Sequence, residues 1–315
     1  METILITGCA GFIGSNLSDK LLEKNFRVVG LDNFNDYYSP DLKENNLKNS
    51  RKYKDFKIYR EDVLNFSALK KIFISEKIDK VVHLAARAGV RTSIADPMLY
   101  TRVNITGTLN LLRLSTDFKV SKFIFSSSSS VYGDSKKFPL TEDDLCQTIV
   151  SPYGASKRAA EFFVESFWRS FGLRSVILRF FTVYGPRGRP DMAPALFVNS
   201  ILKNKILKQF GDGTSSRDYT FVMDIIKGIA NALESDVGFA VINLGNNKPV
   251  TLIEFIKLIE DLTGKKARKE KIGRQKGDVY KTWANIKLAK RLLGWQPTTN
   301  LREGLLHYLV WQKNN

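Results

Sequence analysis

The sequence predicts an α/β protein, a doubly wound parallel sheet followed by a smaller C-terminal α/β lid. Three observations predict it. Short apolar runs rich in Val, Ile and Phe alternate with amphipathic helical stretches, the pattern of repeated βαβ units. The first run, Thr3-Ile4-Leu5-Ile6-Thr7, ends in Gly8, Gly11 and Gly14 and passes at once into a helical pattern. The polar residues of the first half fall at the carboxyl ends of the strand runs, where ligands of such sheets bind.

The elements follow in order. After the glycine turn, Leu17, Leu21 and Leu22 share one helix face. Strand, glycine turn and helix together present backbone N–H groups and a helix N-terminus to a phosphate, and glycine lets a diphosphate approach without a Cβ in the way. A second strand over 27–32 ends in Asp32, a carboxylate placed to accept ribose hydroxyls and to repel a 2′-phosphate; this favours NAD over NADP. A third strand over 56–60 leads to Asp62 and Val63, where an adenine can rest, and Leu69, Ile72 and Phe73 mark the next helix face. A fourth strand over 80–86 runs into small residues, helix continues through 97–114, and a fifth strand over 122–125 opens into five serines, 126–130. A flexible linker would not be threaded between a strand and Val131-Tyr132, so the hydroxyls are expected to point at whatever the glycine turn holds.

Tyr153 and Lys157 stand one helical turn apart, on one face of a helix opened by Pro152 and continued by an apolar spacing of Ala159, Phe162, Phe163 and Phe167. A neighbouring ammonium favours phenolate, so the Tyr153 pKa is expected to fall from about 10 toward neutrality, making it a candidate general base. The same spacing at Tyr53/Lys57 and Tyr132/Lys136 lacks a convincing helix. A sixth strand over 174–181 enters a rigid cationic loop, 182–190. Beyond it the alternation relaxes into a helix over 193–203, a strand over 207–210 and a late strand over 240–244 returning toward the sheet. A capping box, Thr251 with Glu254, opens a helix over 255–262, and a last helix pair has Pro297 between its members. The expected division is 1–181, with 222–246 returning to it, and 182–315 as mainly a substrate domain.

Composition narrows the function classes. The chain has 315 residues, 43% of them hydrophobic, enough for a sizeable core, and no apolar run long enough to cross a bilayer. Met1 leads straight into a strand, so no leader peptide and a cytoplasmic location are expected. Two cysteines and two histidines suggest neither a disulfide framework nor a metal site. The net charge of +17 favours anionic partners, phosphorylated metabolites among them. The basic run at 265–271 reads as a solvated helix face, so neither nucleic acid nor membrane is expected as a partner.

Taken together, Gly8-Gly11-Gly14, Asp32-Asn33, Asp62-Val63, His83-Leu84-Ala85-Ala86, Asn104, the stretch from Ser126 to Gly133, Tyr153/Lys157 and Arg179-Phe180-Phe181 resemble the extended short-chain dehydrogenase/reductases of Rossmann fold, the NAD-dependent sugar-nucleotide epimerases and dehydratases. The resemblance runs over essentially the whole chain. It implies NAD along Gly8, Gly11, Phe12, Ile13 and Gly14, at Asp32, Asn33 and Asn35, at Asp62 and Val63, at Leu84, Ala85 and Ala86, and at Asn104, Ser126, Tyr153 and Lys157. It implies Tyr153, Lys157 and Ser128 as catalytic residues and a homodimer packed through two helices per subunit. A UDP-sugar would lie at Arg91, Ser128, Ser129, Ser130, Tyr153, Thr182 and Arg189, its UDP end at Arg217, Tyr219, Arg274 and Asp278.

Dehydratases and decarboxylases of this family carry an acid just before Val-Tyr-Gly, where this chain has Ser129 and Ser130. That speaks for simple 4-epimerisation through a transient 4-keto sugar. The stretches 88–93 and 179–192 look like the UDP-glucuronate 4-epimerases, and Thr182 stands where galactose-type 4-epimerases usually carry Asn. The nearest alternative is a 4-epimerase of neutral UDP-hexoses or their N-acetyl analogues. The alternative of another class is a non-catalytic NAD-binding protein with a basic interaction surface.

Overall fold

The apolar runs become strands whose side chains are covered on both faces. The computed structural model describes residues 1–275 and 277–314. The main strands are β1 (Thr3–Thr7), β2 (Arg27–Leu31), β3 (Phe56–Tyr59), β4 (Lys80–His83), β5 (Lys122–Ser128) and β6 (Ser175–Phe180). A shorter set follows, β7 (Thr182–Tyr184), β8 (Ile206–Phe210), β9 (Ser216–Phe221), β10 (Phe239–Leu244), β11 (Pro249–Thr251) and β12 (Arg268–Ile272). Helices are α1 (Phe12–Glu23), α2 (Pro40–Asn46), α3 (Phe66–Glu76), α4 (Val90–Ala95), α5 (Pro97–Thr101), α6 (Gly107–Asp117), α7 (Pro152–Phe171), α8 (Ala193–Leu202), α9 (Val222–Glu234), α10 (Leu252–Thr263), α11 (Lys287–Leu293) and α12 (Leu301–Asn314).

The central sheet has seven parallel strands in the order β10-β6-β5-β4-β1-β2-β3. Its order turns back on either side of β1, which makes the carboxyl ends of β1 and β4 a ligand crevice. Thr7 lies in register with Leu31 on one side and His83 on the other, and Ser128 with Phe180. Every residue of β1 is buried. Leu17, Leu21 and Leu22 of α1 pack on one face of the sheet with Ile225, Ile226 and Ile229 of α9. Leu69, Ile72 and Phe73 of α3 pack on the other with Leu111 and Leu112 of α6 and Ala160 and Val164 of α7. The late strand β10 extends the sheet beyond β6.

The remaining strands stand apart as a three-stranded sheet, β11-β9-β7, and a parallel pair, β12-β8. The capping box at α10 is present in both halves, Thr251 with the Glu254 backbone and Glu254 with the Thr251 backbone. No helix among the described residues is long and apolar enough to cross a membrane.

Two expectations are corrected. Helix α7 forms as its spacing predicts, but it buries Lys157, Ala160, Glu161 and Val164 while Phe162, Phe163 and Phe171 stand exposed. Hydrogen bonds inside the protein satisfy the two charged side chains, so charge rather than aromatic character faces the sheet. Residues 268–271 of the basic run lie in a strand, β12, not on a helix face, and four of the five β12 residues are exposed.

The turn from β1 to α1 depends on backbone contact. A Cβ on Gly14 would sit 2.1 Å from the Gly8 carbonyl oxygen and 2.8 Å from the Cys9 Cα, and neither backbone atom can yield without moving α1 off β1. Gly14→Ala is expected to cost about 2 kcal/mol of stability or more. A lower urea midpoint at unchanged slope would show this; an unchanged midpoint would mean that α1 has room to shift.

Candidate active site

One cleft runs across the carboxyl ends of the strands, with a volume of about 950 Å³. It begins at the β1–α1 turn, where Gly8, Gly11, Phe12, Ile13 and Gly14 form its wall, and ends under the loop after β7. Gly8 takes a positive φ of 69° and donates its N–H to Leu31, which turns the chain back over the sheet edge.

Asp32 follows β2. Its carboxylate accepts from the backbone N–H of Ala10 at 3.2 Å and of Phe34 at 2.8 Å, so it is fixed at the sheet edge and faces the cleft. The Lys43 ammonium lies 3.6 Å away, both side chains buried. Asp62 is tied to the same corner by Asn33, whose amide donates to it at 2.7 Å, and Asn33 in turn accepts from Asn35. Asn33, Asn35, Asp62, Val63, Leu84, Ala85 and Ala86 all line the cleft.

A dinucleotide fits this set. The glycine turn and the N-terminus of α1 offer backbone donors to a diphosphate, and the Asp32 oxygens offer acceptors to a ribose. No side chain crosses the glycine turn, because a Cβ at Gly8 would meet the Ala85 nitrogen at 2.8 Å.

The catalytic candidates meet at the middle of the cleft. Ser151 caps α7 by accepting from the Gly154 N–H at 3.1 Å, and Pro152 opens the helix. That places Tyr153 in its first turn, with its ring edge-on to Tyr100 at 6.1 Å. Lys157, one turn on, is buried and donates to the Ser126 carbonyl at 2.7 Å. Ser128 ends β5 and donates to the Ser130 hydroxyl at 3.1 Å. Ser128, Ser129, Ser130, Tyr153, Lys157 and Thr182 all line the wall.

The charges here differ from expectation. Burial raises the Tyr153 hydroxyl above its ordinary pKa, although Ser128 and the charge of Arg189 pull the other way. Burial also draws the Lys157 ammonium down to about 7, against the pull of Glu161. The expected fall of the Tyr153 pKa toward neutrality does not occur here, because burial moves it the other way. Lys157 donates to the β5 backbone, and desolvation is the largest influence on both groups.

Other residues settle differently from the sequence reading. Ser126 and Ser127 lie at the cleft, but their hydroxyls turn back, Ser126 to the His83 carbonyl at 3.0 Å and Ser127 to Glu161 at 2.5 Å. Asn104 is buried and outside the cleft wall. Its amide holds the Arg87 backbone at 2.8 and 3.0 Å and donates to Ser156 at 2.9 Å, so it braces the loop after β4 against α7. Tyr219 is a core residue stacked on Phe255 at 4.3 Å. Arg217 and Arg274 also stand outside the wall, drawn to backbone carbonyls of the segment around Asp278 and Tyr280. Asp278 and Arg91 do reach it, 3.7 Å apart, with Arg91 over the Phe210 ring. Lys43, Tyr37, Arg87 and Asp191 line the cleft although no spacing in the sequence marked them.

Behind the serines lies a buried ion network. Arg179 donates to both oxygens of Glu161, at 2.9 and 2.8 Å, and Arg158 adds a third contact at 2.7 Å. Burial pushes the Glu161 pKa up, but these partners and Ser127 outweigh it and hold it below the usual carboxylate range.

The family described as GDP-mannose 4,6 dehydratase matches residues 5–307. The UDP-glucuronate 4-epimerase of Thermodesulfobacterium geofontis is 45% identical over the whole chain and 97% of that relative. A crystal structure of UDP-glucuronic acid 4-epimerase from Bacillus cereus, in complex with UDP-glucuronic acid and NAD, superposes with a TM-score of 0.94. It is 40% identical, with 99% of each chain covered. A UDP-glucose 4-epimerase from Thermotoga maritima, with UDP-glucose, superposes with a TM-score of 0.91 at 34% identity, again over 99% of each chain.

Glu161→Gln removes a charge that three partners need. It should lower stability at neutral pH by about 3 kcal/mol, the scale for breaking a buried pair. Because the folded pKa of Glu161 is depressed, its contribution is full above the unfolded value of about 4.3 and is lost as pH falls through the folded pKa. Urea unfolding across a pH series should therefore show the gap to wild type closing in acid. A constant gap would assign the loss to packing.

Proposed function

The chain belongs to the GDP-mannose 4,6 dehydratase family, the extended short-chain epimerases and dehydratases, and from that membership we propose that it is an NAD-dependent 4-epimerase of a UDP-sugar, with UDP-glucuronate as substrate and UDP-galacturonate as product. One observation carries the reading. Tyr153, Lys157 and Ser128 meet in one cleft with hydroxyls, not carboxylates, at Ser129 and Ser130, and Arg189 lines the same cleft.

NAD supplies a hydride acceptor at C4 that also returns the hydride. Tyr153 takes the proton of the C4 hydroxyl through its phenol oxygen, with Ser128 as hydrogen-bond partner at the same oxygen. Lys157, fixed on the Ser126 carbonyl, stabilises the phenolate when the cleft is filled. Tyr153 gives the proton back once the 4-keto sugar has turned about its diphosphate link. Ser129, Ser130 and Thr182 hydrogen-bond the sugar carboxylate, and Arg189 or Arg91 adds charge complementarity. We assign the nucleotide cofactor to 1–181 with 222–246, the sugar to 182–315, and Arg217 and Arg274 to the UDP end, reached through the Asp278 segment.

Incubation with UDP-glucuronate, UDP-glucose and their N-acetyl analogues, without added NAD, tests this reading. UDP-galacturonate should form with little pentose product; turnover of UDP-glucose alone would sink the uronate assignment. Tyr153→Phe should lower kcat by at least about 100-fold while NAD stays bound. Surviving turnover would move the base elsewhere.

The same reading includes a homodimer in the cytoplasm. Phe162, Phe163 and Phe171 leave an apolar aromatic stripe exposed on α7, with Met98 of α5 also exposed. Light scattering should give twice the chain mass of 35.7 kDa, and Phe162→Glu with Phe163→Glu should give a monomer. A wild-type monomer at micromolar concentration would refute the dimer.

A further inference from the structure

The loop after β7 carries Arg189 across the cleft to residues it cannot meet through the sheet. Its Nε donates to Asp191 Oδ1 at 3.0 Å and its Nη2 to Oδ2 at 2.6 Å, a two-point grip on one edge of the guanidinium. The same Nη2 donates to the Tyr37 hydroxyl at 3.3 Å, and Tyr37 donates to Asp191 at 3.3 Å. The guanidinium lies 5.1 Å from the Tyr37 ring centroid. Tyr37 belongs to the loop after β2, which also carries Asp32, so the triad joins the two sides of the cleft. Arg189 lines the cleft, and its Nη1 takes no hydrogen bond among the described residues.

Five N–H groups in a planar fork bind two carboxylates at most edge by edge. With Asp191 on the Nε–Nη2 edge and Tyr37 fixing the plane, the Nη1 edge is left for a ligand. We propose that Asp191 is a positioning residue which, through Arg189, sets the preference of this cleft for a nucleotide sugar bearing a carboxylate over a neutral hexose. This rests on the UDP-sugar reading above and adds what sets the choice of sugar. Asp191 also permits the cation to lie largely buried, because an unpaired guanidinium there would be drawn toward solvent or toward any anion, whatever its shape. Held as a pair, Arg189 presents Nη1 in a fixed direction, where a carboxylate offers a charged acceptor and a C6 hydroxyl only a neutral one.

The test compares Asp191→Ala and Asp191→Glu with wild type, using NAD-loaded enzyme and both UDP-glucuronate and UDP-glucose. Asp191→Ala should raise KM for UDP-glucuronate about tenfold with kcat little changed, and leave kcat/KM for UDP-glucose unmoved. Asp191→Glu should restore most of the difference, and Asp191→Ala should add nothing to Arg189→Ala. Equal losses on both sugars would reduce Asp191 to a fold residue. A lower KM for UDP-glucuronate would mean that Asp191 competes for Arg189. Either result overturns the inference. Calorimetric binding of both sugars to Tyr153→Phe protein reads the same selectivity without turnover. Wild-type enzyme that neither binds nor converts UDP-glucuronate fails at the earlier step, and leaves no selectivity for Asp191 to set.

Discussion

Parallel pairing of β1 with β2 and β4 is the constraint on which the rest of the molecule depends. Parallel neighbours cannot be joined by a tight turn, so each strand sends the chain over a face of the sheet and back. All the carboxyl ends then lie along one edge, where the loops have no ladder partner and their polar groups must find a ligand, water or one another. Asp32, Asn33 and Asp62 answer this by bonding among themselves and to nearby backbone. The glycine turn answers it differently, by coming so close to the start of α1 that no side chain stands between its N–H groups and the cleft.

Helix α7 is fixed from below rather than from the cleft. Lys157 and Glu161 lie one turn apart on its buried face, one bonded to the β5 backbone and the other to Ser127 and Arg179. Asn104 adds a third tie through Ser156. Burying these charges costs more than burying apolar groups of the same size, and their mutual bonds recover only part of it. What the arrangement supplies is register: β5, β6 and α7 can pack with Tyr153 opposite Ser128 in one way only, since a slip would leave Glu161 or Arg179 unpaired.

How far this was legible depends on the kind of signal. The strands of the central sheet and their order follow from apolar runs and glycine punctuation, which are local, and they fall where the sequence places them, whereas the short strands β7, β9, β11 and β12 were not marked in this way. That the glycine turn, Asp32, Ser128, Tyr153 and Lys157 would line one cleft was legible because each sits at a strand end or helix start with a fixed spacing. Direction of a side chain was not. Five consecutive serines cannot say which hydroxyls turn toward Glu161 and which toward the cleft, because strand alternation and the turn that follows decide it. Phe162 and Phe163 read as a core face until the buried partners of Lys157 and Glu161 are known. Tyr219 was a ligand contact only by resemblance, whereas the fold buries it and stacks it on Phe255. Asp191, Tyr37 and Lys43 were not marked because their contacts, Asp191 and Tyr37 with Arg189 and Lys43 with Asp32, follow no helical or strand periodicity.

A cleft of this design faces a particular hazard if a uronate is oxidised at C4. The 4-keto acid has its carboxylate β to the new carbonyl, and carbon dioxide leaves most readily when the C–CO₂ bond stands perpendicular to the carbonyl plane and the carboxylate sheds its hydrogen bonds. The same intermediate has an acidified C5 proton that any nearby base would remove. On the proposed reading, hydroxyls at Ser129, Ser130 and Thr182 would act against both. They would donate to the carboxylate, so its charge would be costly to move into the ring, and as neutral hydroxyls they would not accept the C5 proton. The acids that line the cleft are occupied elsewhere, Asp32 and Asp62 at the corner after β2 and β3, Glu61 with Asn65, Asp191 on Arg189 and Asp278 beside Arg91. On the same reading a carboxylate at either position would reverse both protections at once, so the two neutral residues just past β5 would favour epimerisation over loss of the acid group.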